Sequence, residues 1–166
     1  MNISIDEILG ALNRNGCSYL LIGGMNFMLR HEPQLTFDVD VWIEDSLQNR
    51  RKCETALAEL NAEWGKTDEL WGPVSQLPSN WLEQQYVYSL ITPFGALDVF
   101  RSVKGLADWQ ACWQRGVEES TAAGTSYRGL CDEDMLQCQL ALDEVEQKGE
   151  RIRVLRNSIA KHTKPS

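Results

Sequence analysis

The segment Thr36-Phe37-Asp38-Val39-Asp40-Val41-Trp42-Ile43 alternates without a break. Strict period two commits it to a half-buried strand, with Phe37, Val39, Val41 and Ile43 on one face and Asp38, Asp40 and Trp42 on the other. No other stretch restricts the fold as tightly, because it fixes two carboxylates on one face, with alpha carbons about 7 Å apart. Just upstream, the apolar run Ser18 to Ile22 reads as a short buried strand and ends in the pair Gly23-Gly24.

The rest of the chain predicts alternating helices and strands. Ser4-Ile5-Asp6-Glu7 has the pattern of a capping box, followed by Ile8, Leu9 and Leu12 at helical spacing and by Gly16 as a stop. Met25 to Arg30 reads as a short helix ended by Pro33. Leu47 to Asn61 reads as a helix that buries Cys53, Ala56, Leu57 and Leu60 and exposes Arg50, Arg51 and Lys52. Trp64 to Trp81 reads as a long loop with room for one strand. Gln85 to Ile91 and Ala96 to Phe100 form an antiparallel hairpin about the turn Thr92-Pro93-Phe94-Gly95. Leu106 to Gln114 is expected to be helical and Glu118 to Ser126 a polar loop. A helix runs from Asp132 to about Lys148, and a second apolar stripe of Ile152, Leu155 and Ile159 follows the break at Gly149.

With 166 residues, 43% of them hydrophobic, the chain can bury one real core. The expected organisation is a single compact unit, with a core over 1–128 and a helical segment over 129–166. No apolar run approaches the length of a membrane span and no secretory layout opens the chain, so a cytoplasmic protein is expected. Five cysteines without a C-x-x-C pair read as reduced thiols, and two histidines far apart in sequence argue against zinc. A net charge of -8 disfavours general DNA binding. The basic residues collect late, at Lys148, Arg151, Arg153, Arg156, Lys161 and Lys164.

Two like charges on one strand face call for a compensating cation. Magnesium, or manganese, is the natural partner: it is hard, seeks oxygen, and is usually shared between carboxylates and phosphates. Asp98 sits likewise between apolar neighbours, and completes a set of three if its strand lies beside the first. Three carboxylates can hold two ions, one acidifying an attacking hydroxyl and the other steadying a leaving pyrophosphate. Gly23 and Gly24 allow a close backbone approach to a triphosphate, the following helix aims its first amides there, and Asn26 adds a polar contact in its first turn. Thr36 reads either as a residue that orients Asp38 or touches a phosphate, or as a plain strand residue. Trp42 shares the carboxylate face, where it either stacks on a base or packs.

Ile22-Gly23-Gly24, Asp38-Val39-Asp40-Val41 and Leu97-Asp98-Val99 together resemble the signature of the polymerase-beta-like nucleotidyltransferase superfamily. Leu35 to Ile43 and the helix around Asp134-Met135-Leu136 are most similar to small bacterial members of toxin–antitoxin and abortive-infection systems. The resemblance implies an α/β (α+β) fold: a mixed sheet with helices packed on one side and a helical C-terminal segment. It implies transfer of a nucleoside monophosphate from a nucleoside triphosphate such as ATP to a hydroxyl of a protein, a tRNA or a small molecule. Asp38 and Asp40 would ligate both metals, Asp98 would ligate one and activate the nucleophile, and Gly23, Gly24, Asn26 and Thr36 would bind nucleotide. An antitoxin or a tRNA is the implied macromolecular partner.

Two positions depart from the pattern: Gln34 replaces a frequent arginine, and Gln137 and Gln139 occupy the place of a frequent lysine. Arg151, Arg153 and Arg156 are the candidates to replace that charge. The alternative is a catalytically weak or inactive member of the fold that binds a partner or RNA. A third reading is an antibiotic-modifying enzyme, disfavoured here on the expectation that such enzymes carry a larger acceptor domain.

Overall fold

The computed structural model describes residues 3–33 and 36–163, so Gln34 lies outside the described residues. The elements follow in the order α1 (Ile5–Arg14), β1 (Tyr19–Ile22), α2 (Gly23–Arg30), β2 (Asp38–Ile43), α3 (Leu47–Glu59), β3 (Glu63–Trp64), β4 (Gly72–Pro73), β5 (Val87–Thr92), β6 (Gly95–Phe100), α4 (Trp109–Arg115), β7 (Val117–Ser120), β8 (Ser126–Gly129), α5 (Asp132–Leu140) and α6 (Gly149–Thr163). The strands make one mixed sheet in the order β4-β3-β5-β6-β2-β1-β8-β7. The pairs β2–β6 and β1–β8 are parallel and the remaining pairs antiparallel.

Period two divides the sheet cleanly. Tyr19, Leu21, Val39, Val41, Leu97, Val99, Tyr88 and Leu90 face α1 and α3 and form the main core. Leu20, Ile22 and Trp42 face the other way, under Phe27 of α2, Cys112 of α4, Met135 of α5 and Leu155 of α6. β1 is buried along its whole length because helices cover both of its sides. Those C-terminal helices leave β5 uncovered, and its outward residues Val87, Ser89 and Ile91 are exposed.

Several local expectations are corrected. Ser4 makes no side-chain cap; its amide instead donates to the Phe94 carbonyl, tying the start of α1 to the β5–β6 turn. Phe37 is 75% exposed, because the strand begins only at Asp38. Arg50 is buried rather than exposed, paired with Asp45 at 2.8 Å. The loop expected after Glu118 is the hairpin β7–β8, whose second strand extends the sheet from β1. The helix from Asp132 stops at Leu140, where the apolar period fails, and the Gln139 side chain accepts from the Lys148 amide to close the connection to α6.

Candidate active site

Parallel pairing of β2 and β6 sets Asp40 directly beside Asp98, and Asp38 beside Ala96. One oxygen from each of Asp38, Asp40 and Asp98 lies within 4.8 Å of the others. The strands thus bring together all three carboxylates named from the sequence. Burial raises the Asp40 carboxyl to about 8, with the charges of Asp38 and Asp98 adding to it. Burial, and next the contact with Asp38, raises Asp98 to about 6.

Gly23 follows Ile22, which pairs with Asp40 across β1–β2. Its φ of +71° lies in the left-handed region, and a Cβ there would overlap Asp40 Oδ2. α2 starts at this bend, and no side chain caps it. Its first amides therefore point past bare glycine backbone beside the carboxylates. A Cβ on Gly24 would lie 3.1 Å from Thr36 Oγ1 and 3.2 Å from a guanidinium nitrogen of Arg151. Thr36 itself donates to the Asp38 carbonyl at 3.2 Å.

Arg151 is the basic residue that α6 delivers to the site. Its guanidinium stands 5.4 Å over the Phe27 ring, and burial lowers its pKa while the Asp40 charge opposes that shift. Arg153 pairs instead with Glu150 and, like Arg156, is exposed.

Three other residues near the site are engaged within the protein. Asn26 is completely buried and donates to the Leu130 carbonyl and the Met135 sulfur, so it offers nothing to a phosphate. Trp42 is 3% exposed and packs, with its ring nitrogen directed at the Arg101 carbonyl. Arg30 is held by Asp132 at 3.1 Å.

Ser89 was not named from the sequence. It stands directly opposite Asp98 across β5–β6, and its side chain works against the burial that raises the Asp98 carboxyl. The two-residue turn between Thr92 and Gly95 fixes this register, so counting back along the hairpin would have found it.

The donor set fits a divalent cation. Three oxygens converge, the neighbouring backbone carries no side chain, and Asp40 Oδ1 is buried without a hydrogen-bond partner among the described residues. A hollow of about 940 Å³ lies elsewhere, between Asn13, Tyr19 and the β7–β8 hairpin. It contains none of these carboxylates, which sit on the sheet face beside α2.

Solved structures share this architecture. The solution structure of the antibiotic-resistance factor ANT(2'')-Ia superposes with a TM-score of 0.62 at 16% identity, over 95% of this chain and 83% of that one. The chain has a nucleotidyltransferase fold. The lincomycin-bound lincosamide antibiotic adenylyltransferase LnuA matches with a TM-score of 0.60 at 15% identity, over 94% of this chain and 98% of that one. ANT(2'')-Ia in complex with adenylyl-2''-tobramycin gives 0.60 at 16%, over 95% and 88%. The expected larger acceptor domain is therefore not a requirement, since LnuA is almost wholly covered. No protein-family profile matches the chain, and no curated protein matches its sequence. Among the described residues, no helix is long and apolar enough to cross a membrane.

Proposed function

We propose that this chain is a metal-dependent nucleotidyltransferase that moves a nucleoside monophosphate from a nucleoside triphosphate to a hydroxyl of a small molecule. The observation that carries this reading is the convergence of Asp38, Asp40 and Asp98 within 4.8 Å beside the uncapped start of α2. A divalent cation on these carboxylates would neutralise them, bind phosphate oxygens and acidify the acceptor hydroxyl, and three carboxylates are donors enough for the two ions expected from the sequence.

The chain's own residues supply the rest. Gly23 and Gly24 admit the triphosphate to the α2 amides, and Thr36 and Arg151 flank the same backbone. Asp98, opposite Ser89 on the sheet face, accepts the hydroxyl proton. The acceptor oxygen bonds to the α-phosphorus, the bond to the bridging oxygen of the β-phosphate breaks, and pyrophosphate leaves.

Arg151 weighs against an inactive module, because it places a cation where Gln137 and Gln139 do not. LnuA is bound to lincomycin and ANT(2'')-Ia to adenylyl-2''-tobramycin, which favours a small molecule over an antitoxin-linked protein target or a tRNA. Calorimetric titration with ATP, GTP, CTP and UTP in magnesium tests the reading. One or more should bind to the wild type and none to Asp38→Asn; a folded wild type that binds none of them overturns it.

A further inference from the structure

The uncovered side of the triad carries a legible row. Directly opposed residues on paired strands share a face. Asp38 is opposed by Ala96, Ala96 by Ile91, and Ile91 by Glu63. Trp64 turns inward, stacking with Trp81 and meeting the Tyr88 ring edge-on, so its neighbour Glu63 faces outward with Ile91. Beside this row, Ser89 stands opposite Asp98 and Val87 continues the same face. Ile91 is 47% exposed and Val87 42%, so this face offers an apolar surface to solvent. At the sheet edge, Glu63 and Ile91 also border a hollow of about 430 Å³ that runs between Pro73, Pro93 and Ala58 of α3.

Arg151 and the glycine bend lie on the other side of the carboxylates, toward α2 and α6. A triphosphate seated there leaves the β5 side for the acceptor. The row then reads outward as reactive carboxylate, apolar floor, acidic end. Two strand spacings, about 10 Å, separate β6 from β3.

We propose that Ile91 and Glu63 select the acceptor, and that it is a compact hydroxyl-bearing amine. Its hydroxyl lies at Asp98, its apolar body on Ile91 and Val87, and its ammonium against Glu63. This rests on the nucleotidyl-transfer reading and goes beyond it by fixing the acceptor's charge and polarity. A nucleic-acid acceptor would bring phosphates to the one position where the row ends in a carboxylate.

Matched probes of one length test it: 8-amino-1-octanol, 1,8-octanediol and 8-hydroxyoctanoate. Each is titrated by NMR into isotope-labelled protein loaded with magnesium and a nucleoside triphosphate whose binding has been measured first. The amino alcohol should shift the amides of Glu63, Ile91 and Ser89 and bind about fivefold more tightly than the diol. Glu63→Gln should erase that difference and leave nucleotide affinity unchanged. Ile91→Ala should weaken both the amino alcohol and the diol.

The proposal is overturned if the diol or the acid binds as well as the amine, if the shifts map elsewhere, or if none of the three binds to nucleotide-loaded protein. Absence of nucleotide binding in the first measurement defeats the parent reading as well, so the two failures are distinct.

Discussion

A methyl group on Gly23 and Oδ2 of Asp40 would claim the same space: a Cβ built on the glycine overlaps that oxygen and falls 3.1 Å from Asp40 Cγ. The bend that opens the backbone to a phosphate is therefore the same bend that lets β1 carry Ile22 beside Asp40. Gly23→Ala meets both this overlap and a φ of +71°. We expect a loss of about 1–3 kcal/mol of stability, from backbone strain and a displaced carboxylate. Thermal melts with and without magnesium and nucleotide should show a lower Tm and no ligand-induced rise. A variant that keeps the full ligand-induced rise would show that Asp40 can move aside without consequence.

Arg151 belongs to the last helix, yet its guanidinium lies 3.2 Å from where a Gly24 Cβ would stand. Arg151→Gln should weaken nucleoside triphosphate binding tenfold or more, on the order of the strength of a charge-assisted phosphate contact. Arg151→Lys should recover part of it, since the charge remains and the forked geometry does not. Calorimetry of the three proteins with one nucleotide gives the ranking. Equal affinities would remove Arg151 from the phosphate site and return weight to a non-catalytic role for the fold.

Much of this was legible because side-chain period and turn chemistry act locally. Asp38 and Asp40 share a face by alternation alone, and the turn at Pro93 sets the hairpin that carries Asp98. What was not legible depended on distant parts of the chain. Asn26 was expected at a phosphate because it opens a helix, but Gly129 of β8 lies against its amide and draws it into the core. β8 itself was missed, since Ser126-Tyr127-Arg128-Gly129 carries only a weak alternation and gains its place by pairing with β1. Arg151, Arg153 and Arg156 were indistinguishable by type, and only the packing of α6 on Phe27 separates them.

Asp132 ties three helices. His31 Nε2 lies 2.7 Å from its Oδ1, Arg30 reaches the same oxygen at 3.1 Å, and Ser158 of α6 donates to Oδ2 at 2.6 Å. Burial alone would raise its pKa, but the bonds from Ser158 and His31 and the charge of Arg30 outweigh that and hold it below the usual value. A carboxyl depressed on folding stabilises above its unfolded pKa, and that contribution is lost as pH falls through the folded value. Asp132→Asn should therefore cost on the order of 2 kcal/mol at neutral pH, and its deficit against wild type should shrink below about pH 4. Denaturant melts across pH 3 to 7 measure both, with the pH range set by the reference carboxyl value of about 3.9. A deficit that stays constant into acid would mean that the ionised carboxylate contributes nothing.

Asp40 has the opposite sign. Burial and the neighbouring charges of Asp38 and Asp98 raise its carboxyl to about 8. A carboxyl raised on folding weakens the fold increasingly as pH climbs from its unfolded value, about 3.9, toward its folded one. Without a cation the wild type should therefore lose stability between about pH 4 and pH 8, where one buried charge faces two others. Asp40→Asn removes that burden, so in a chelator at pH 8 it should be the more stable protein, by on the order of 2 kcal/mol. Magnesium or manganese should reverse the ranking, because binding only to the folded wild type stabilises it by mass action while the variant has lost a donor. The crossing of the two melting series, chelator against metal, separates a cation site from an ordinary buried carboxylate. If Asp40→Asn is the less stable protein in both conditions, Asp40 holds the strands together rather than a metal.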